Sequence, residues 1–277
     1  MGKVDMIKKV IHSADWQLDR DNPHRIAAFD AAVEKYFEIL EVESQGYSRD
    51  DLMQVIVGDI FENYTNTSND AIIKLYGFLK GALSYSPVII VLGNHDYDVK
   101  NPTATDIVET LNELIPDPEF HFLKENTCYP MGGLIWAHYA HKLGSNKPPD
   151  FDDFKQKYPN NKFIGLYHDP IQNAKILYSD FNDYAKSLNI FEGCDGVMAG
   201  DIHLRQSFRF GDSWFVYPGS PYQLTHGETI YNHGVVVWDI ADMSFQYRDI
   251  QIPHNYITIV IDDPDDINKT LIVKNDK

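Results

Sequence analysis

The stretch Pro87-Val88-Ile89-Ile90-Val91-Leu92-Gly93-Asn94-His95-Asp96 decides how this chain is read. Its first part is an unbroken apolar run of strand length, rich in β-branched residues. At Gly93 the run stops, and an amide, an imidazole and a carboxylate follow in succession. Three metal-capable side chains directly after a buried strand need a chemical reason.

Working outward, the same event recurs. A strand beginning at Val10-Ile11 stops at Asp15, with Trp16 and Gln17 behind it. Met53 to Val57 is a second apolar strand, ended by Gly58-Asp59-Ile60-Phe61-Glu62. Between these strands, Ile26, Phe29, Val33, Tyr36, Phe37 and Leu40 recur at helical spacing, and Ala71 to Leu83 reads as another helix. Strand, helix, strand, helix, strand predicts right-handed crossovers and a mainly parallel sheet with helices on its face. Further on, Gly165-Leu166-Tyr167-His168-Asp169 and Gly200-Asp201-Ile202-His203 are again strand ends that carry His and Asp.

Ligands in open α/β sheets bind outside the carboxyl ends of strands. Taken singly, Gly58-Asp59 is more often a turn, and a lone His95 more often a satisfied structural histidine. The ordered set carries the signal. Oxygen and imidazole donors without thiolates suit Mn²⁺, Mg²⁺, Fe or Zn²⁺ rather than copper(I) or an iron–sulfur cluster.

The second half is richer in β-structure. Leu134 to His138, Phe163 to Leu166 and Gly196 to Ala199 read as strands. Ser207 to Phe210 and Trp214 to Tyr217 flank Gly211-Asp212 as a hairpin, and His233 to Ile240 with Phe245 to Ile250 form a second pair. This predicts a second sheet packed on the first. Lys142 to Pro149 reads as a surface loop. Tyr256 to Ile261 and Leu271 to Val273 are short apolar runs around an acidic stretch, and read as the opening of a further unit.

Composition bounds the class. The chain has 277 residues, 24 Lys+Arg against 41 Asp+Glu, a net charge of -17 and 43% hydrophobic residues, enough for a full core. Cys128 and Cys194 are too few for a disulfide framework and read as packing residues. No apolar run has the length of a membrane span, and the N-terminal residues lack a signal-peptide core. The expectation is a soluble, cytoplasmic protein with no membrane partner. The acidity argues against generic adhesion to nucleic acid.

The series Asp15-x-Gln17, Gly58-Asp59, Gly93-Asn94-His95-Asp96, His168 and Gly200-Asp201-Ile202-His203 resembles the calcineurin-like metallophosphoesterases. Within that superfamily it is most similar to the SbcD-type DNA-repair nucleases. The subfamily features are Gly58-Asp59-Ile60-Phe61, a helix opening near Arg25, and Tyr217-Pro218-Gly219-Ser220-Pro221. Glu62-Asn63-Tyr64 and Asp96 disfavour the protein Ser/Thr phosphatase branch, which continues these motifs with Asp-Arg-Gly and Glu.

The resemblance implies a four-layer α/β/β/α sandwich over residues 1–252. Residues 253–277 would be a C-terminal extension that opens a capping domain. It implies two divalent metal ions, with Mn²⁺ expected and Mg²⁺ as the alternative. One metal would take Asp15, Gln17, Asp59 and His203; the other would take Asp59, Asn94, His168 and Asp201. His95 would face substrate as the general acid. By an offset shared with related phosphatases, Glu62 would orient and charge it. The family's usual histidines are replaced here by Gln17 and Asp201, which makes the site oxygen-rich and favours Mn²⁺ or Mg²⁺ over Zn²⁺.

Arg205, Tyr222 and His226 are candidate substrate contacts. His138 and His141 read as structural, and Trp16 as packing beneath the site. The activity implied is hydrolysis of DNA phosphodiester bonds, as exonuclease and endonuclease. The implied partners are DNA, an SMC-like ATPase of the SbcC type and a second copy of the chain. A phosphodiesterase for small esters and a non-catalytic scaffold stay open as alternatives.

Overall fold

The computed structural model describes residues 6–64, 68–142, 147–176 and 185–257. The expected tail strands beyond residue 257 lie outside them. The first sheet contains β1 (Lys9–Ser13), β2 (Leu52–Val57), β3 (Val88–Val91) and β4 (Phe120–Phe122). The second opens with β5 (Cys128–Met131), β6 (Leu134–Tyr139), β7 (Phe163–His168) and β8 (Gly196–Gly200), and adds β9 (Gln206–Phe210) and β10 (Ser213–Tyr217). The chain then returns to the first sheet with β11 (Gly234–Asp239) and β12 (Ser244–Asp249). The helices are α1 (Pro23–Glu43), α2 (Asn69–Leu83), α3 (Ile107–Leu114) and α4 (Asp152–Lys157).

Each sheet has six strands, ordered β12-β11-β1-β2-β3-β4 and β5-β6-β7-β8-β10-β9. The centre of each is parallel: β1 to β4 in one, β6-β7-β8-β10 in the other. Both hairpins expected from the second half are present as antiparallel pairs. One of them, β11–β12, extends the first sheet, because β11 pairs antiparallel with β1 and places Val236 opposite His12.

Alternation along the strands produces the layers. Ile11, Ile56, Ile90 and Val237 pack with Phe29, Tyr36, Leu75 and Phe78 of the helices. Their neighbours Val10, Val55, Val57, Ile89 and Val91 face the other way, onto Trp136, Ile164, Leu166 and Met198 of the second sheet. The far face of that sheet packs Tyr139, Tyr167 and Phe215 against Phe191, with Phe151 and Phe154 at the periphery. The result is helix, sheet, sheet, helix, the expected four-layer arrangement.

Two details depart from the periodicity reading. The buried face of α1 is Arg25, Ala28, Phe29, Ala32, Tyr36 and Leu40, while Ile26, Val33 and Phe37 are only partly buried. Ala28 and Ala32 let the helix approach closely, so the small side chains choose the face. The other departure is that β4, β5 and α4 are short elements with no clear apolar period, and the sequence reading did not include them; α3 was missed although Ile107, Val108, Leu111 and Ile115 recur at helical spacing. Among the described residues, no helix is long and apolar enough to cross a membrane.

Candidate metal centre

The parallel strands of both sheets end at one place. Asp15 follows β1, Asp59 follows β2, and Asn94 and His95 follow β3. From the second sheet, His168 is the last residue of β7, and Asp201 and His203 follow β8. The loops after β1 and β2 stay laddered beyond the strands: Asp15 N donates to Gly58 O at 3.1 Å, Gln17 N to Asp59 O at 2.9 Å and Leu18 N to Ile60 O at 2.8 Å. This fixes the first and second motifs side by side.

The backbone at these positions is strained. Asp15, Gln17, Asp59 and Asp201 have φ of 56°, 36°, 51° and 88°, a region non-glycine residues rarely adopt. Such conformations cost of order 1–3 kcal/mol each and persist only where surrounding contacts impose them. Here the return is convergence of side chains. Asp15, Asp59 and His168 each offer a ligand atom, all within 4.8 Å of one another and all buried. His168 Nε2 lies 3.2 Å from Asp59 Oδ1 and 3.9 Å from Asp201 Oδ1. A Cβ on Gly93 would collide with the Asp59 carboxylate and come within 2.5 Å of His168 Nε2, so only glycine admits this approach.

The imidazoles are held in defined tautomers. His168 Nδ1 is 2.8 Å from the Val57 carbonyl, and His95 Nδ1 is 2.5 Å from the Glu62 carbonyl. A carbonyl only accepts, so both Nδ1 atoms carry protons and both Nε2 atoms face inward. His203 Nδ1 lies 3.1 Å from the buried carboxylate of Glu228, which leaves its Nε2 toward the site. That Nε2 is 3.1 Å from the Gln17 amide, whose nitrogen also reaches Asp59 Oδ2 at 3.3 Å.

Charge is concentrated and buried. Burial, reinforced by Asp59 and Asp201, pushes Asp15 up to about 7 against the pull of His168 and His203. Burial also raises Asp201. For Asp59 the burial effect is outweighed by His168 and His95, and its carboxyl sits below the usual range. His203 is raised to about 9: burial opposes this, but Glu228 and Asp15 prevail. His168 is raised well above its ordinary value because Asp59, Asp15 and Asp201 override burial.

Asp15 Oδ2 is buried without a hydrogen-bond partner, and His168 Nε2 makes no well-aligned hydrogen bond although Asp59 Oδ1 lies 3.2 Å away. Unpartnered buried donors and acceptors in an acid-rich pocket fit a divalent cation, which would replace the protons that now neutralise the cluster. Asp15, Gln17, Asp59, His168, Asp201 and His203 lie around this point. Asn94 is half-buried in the loop between Gly93 and His95.

His95 Nε2 is 3.9 Å from Asp59 Oδ2, and its backbone N–H donates to Asp59 Oδ1 at 3.0 Å. Asp59 and the Glu62 carbonyl raise its pKa against burial. The Glu62 charge also helps to raise His95, as expected, but the side chain makes its direct contact elsewhere. Its carboxylate pairs with Arg25 at 2.6 Å, and only its backbone carbonyl reaches His95. Arg25 lies nearer than the imidazole and offers a full positive charge.

The expected substrate contacts are also engaged elsewhere. Arg205 pairs with Asp249 at 2.7 Å and lies over the Tyr247 ring. Tyr222 is 1% exposed and donates its hydroxyl to Trp16 O at 2.6 Å, so it supports the floor and offers no surface to a substrate. His226 is exposed and packs tilted against Tyr256, with ring centroids 4.2 Å apart. Trp16 packs on Phe29, Tyr36 and Phe78 beneath the site. His138 is a buried structural residue bonded to Glu125 O. His141 meets the Tyr97 hydroxyl and lies edge-on to His168, so it forms part of the wall.

Three residues have a place in the site that the sequence did not assign to them. Asp96 is fully buried, and its carboxylate accepts from Gly93 N at 2.9 Å, Ile60 N at 2.8 Å and Phe61 N at 3.2 Å. It thereby joins the second and third motifs. Glu228 and Arg25 are the others. Asp96 stands inside the motif and Arg25 marks the opening of a helix, but neither pattern gives the partner; Glu228 carries no local signal.

The fold and the site define a phosphoesterase scaffold with a candidate metal centre at converging strand ends. The family model described as calcineurin-like phosphoesterase matches residues 8–205, and the chain belongs to this family. It is 26% identical over 264 residues to the uncharacterized protein R555 of Acanthamoeba polyphaga mimivirus. The match covers 93% of this chain but 19% of that relative, so the chain spans about a fifth of the relative's length. Among solved structures it is similar to the phosphopantetheinyl hydrolase of Mycobacterium tuberculosis, at 11% identity and a TM-score of 0.44. That similarity covers 78% of this chain and 90% of the other.

Proposed function

We propose that this chain is a metal-dependent phosphodiesterase that hydrolyses DNA, acting as an SbcD-type exonuclease and endonuclease. The single observation that carries the hydrolytic reading is the buried convergence of Asp15, Asp59 and His168, with Asp15 Oδ2 unpartnered and His95 aimed at the same point. Asp15, Gln17, Asp59 and His203 would hold one divalent ion; Asp59, Asn94, His168 and Asp201 would hold the other. When bound, such a pair supplies Lewis-acid stabilisation to the attacking and leaving oxygens of a displacement at phosphorus.

The chain's own groups do the rest. His95 keeps its Nδ1 proton on the Glu62 carbonyl and carries a second proton at Nε2, favoured by Asp59. It gives the Nε2 proton to the departing alkoxide and takes one back from solvent after release. Asp96 holds the loop that presents His95 in register with Asp59. The oxygen-rich donor set favours Mn²⁺, with Mg²⁺ as the substitute.

DNA as substrate rests on the resemblance of the motifs. An SMC-like ATPase of the SbcC type and a second copy of the chain are the proposed partners. The ATPase would supply the positive surface that a chain of net charge -17 lacks, and a second copy would add a second site. A second reading, hydrolysis of a small phosphodiester, is favoured by one observation: Arg25 and Arg205, which flank the first and last motifs, are both committed to carboxylates.

The deciding assay compares linear single- and double-stranded DNA with bis(p-nitrophenyl) phosphate in Mn²⁺, for wild type and His95→Ala. Cleavage of DNA by wild type alone is the expected result. Cleavage of the small ester only would reject the nuclease reading. Failure to bind two metals by calorimetry, with the fold intact and neither substrate cleaved, would favour a scaffold.

A further inference from the structure

Arg25 lies at the start of α1, a helix capped by Asn22 and oriented so that this residue points inward. Its guanidinium is almost fully buried, with a side-chain exposure of 6%. Nη1 is 2.6 Å from Glu62 Oε2, and Nη2 donates to the Gln17 carbonyl at 2.5 Å. Asp19 lies 3.9 Å away. One planar group therefore ties the loop after β1, through Gln17, to the loop after β2, through Glu62. The second loop reaches the third, because the Glu62 carbonyl is the acceptor for His95 Nδ1.

A buried guanidinium is costly unless its partners are well placed, and a structural fold contact could be made more cheaply by apolar side chains. Glu62 is half-exposed, so without Arg25 its side chain has no reason to leave water. The Glu62 backbone would then lose the tether that aims its carbonyl. A lysine could supply the charge but not the fork that spans a carboxylate and a carbonyl at once.

We infer that Arg25 is a positioning residue that fixes the His95 imidazole, through Glu62, relative to Gln17 and the metal-ligating carboxylates. The inference rests on the reading of His95 as the proton donor in phosphodiester hydrolysis. It assigns to α1 a role in the site that none of the strand-end motifs contains. The carboxylate of Glu62 acts on Arg25 and the carbonyl of Glu62 acts on His95, so one residue serves as the joint.

The test uses the whole chain as Arg25→Lys, Arg25→Ala, Glu62→Ala and the double variant Arg25→Ala/Glu62→Ala. The first readout is the His95 Nδ1–H resonance in the ¹⁵N-labelled, metal-free protein. Wild type should show a downfield proton protected from exchange, and every variant should lose or broaden it. The second is turnover of bis(p-nitrophenyl) phosphate in Mn²⁺. We expect kcat to fall about 10–100-fold in each single variant, with KM within about twofold and metal stoichiometry by calorimetry unchanged.

The double variant should be no worse than the worse single one, because both substitutions cut the same tether. Losses that multiply in the double variant would overturn the inference, as would an Arg25→Lys protein with wild-type kcat and an intact resonance. If the Arg25 variants fail to fold, Glu62→Ala at a half-exposed position carries the test alone, and an unchanged resonance there overturns it. If wild type cleaves no phosphodiester, the hydrolytic reading fails, while the His95 resonance still decides the role of Arg25.

Discussion

The two sheets deliver their side chains to the site by different means. The first sheet supplies carboxylates on short loops, and the loops are held by backbone. Asp15 and Asp59 adopt left-handed φ values, are laddered to each other beyond the strand ends, and are stapled to the third motif by the carboxylate of Asp96. Besides Asp201, the second sheet supplies two imidazoles held by acceptors at Nδ1, as His95 of the first sheet also is. His168 sits on the strand itself and uses the Val57 carbonyl from the opposite sheet; His203 uses the side chain of Glu228. A carboxylate offers two oxygens and tolerates rotation, so fixing its Cα is enough. An imidazole presents one useful nitrogen, so its ring needs a second partner to set tautomer and direction.

Asp59 is the point where the two halves meet, since it contacts His95 from its own sheet and His168 from the other. Asp59→Asn should therefore have the largest effect: loss of at least one metal by calorimetry and loss of activity below detection. A fully active Asp59→Asn protein would break the idea of a shared bridging group. His95→Ala should lower kcat by about 10²–10⁴-fold while both metals remain bound. Loss of metal in that variant would move His95 from proton transfer to ligation.

The next contrast is in protons. His203 at about 9 and Asp15 at about 7 hold protons in the metal-free protein near neutral pH. Both values are raised above those of the unfolded chain, so the folded state binds more protons than the unfolded one. The stability these groups contribute is therefore complete at low pH. It is lost from about pH 4 to 7 for Asp15 and from about pH 6.5 to 9 for His203. Asp59 runs the other way: lowered in the fold, it stabilises above its unfolded value and loses that as pH falls.

Metal must displace the protons on Asp15 and His203. Affinity should thus rise with pH, by about tenfold per unit for each proton released, and calorimetry in buffers of different ionisation enthalpy should report that release. Flat affinity between pH 6 and 9 would contradict the proposed ligand set.

Glu228→Ala should weaken metal binding about 10–100-fold by freeing the His203 ring. Glu228→Gln should recover part of this, since its amide oxygen can still accept from Nδ1. Equal loss in both would point to the charge rather than the orientation. The smallest effect belongs to Tyr222→Phe, which removes the bond to Trp16 O. It should cost about 1 kcal/mol of stability by denaturant melting and leave kcat unchanged. A lowered kcat would restore Tyr222 as a substrate contact.

Much of the site was legible because apolar runs that end in polar clusters mark parallel strands and their carboxyl ends. Both sheets' central strands and all the strand-end ligand candidates were visible in this way. The elements without a period stayed hidden: β4 is three residues, and α4 is a single short helix whose apolar Phe154 has no partner of its own in the sequence. The face of α1 was read from its large residues, whereas Ala28 and Ala32 set the contact. Arg205 follows a ligand and Tyr222 follows Gly219-Ser220-Pro221, but position along the chain does not fix the direction of a side chain.

By itself, the sequence determined which residues could hold metal and in what order they arrive, because strand, turn and helix are local and leave periodic signatures. Tertiary structure alone decided which side chain serves which. Arg25 takes the carboxylate of Glu62 from 37 residues away, and Glu228 takes the ring of His203 from 25 residues away. Such pairings depend on which loops the two sheets bring within hydrogen-bonding distance. No local pattern records that distance.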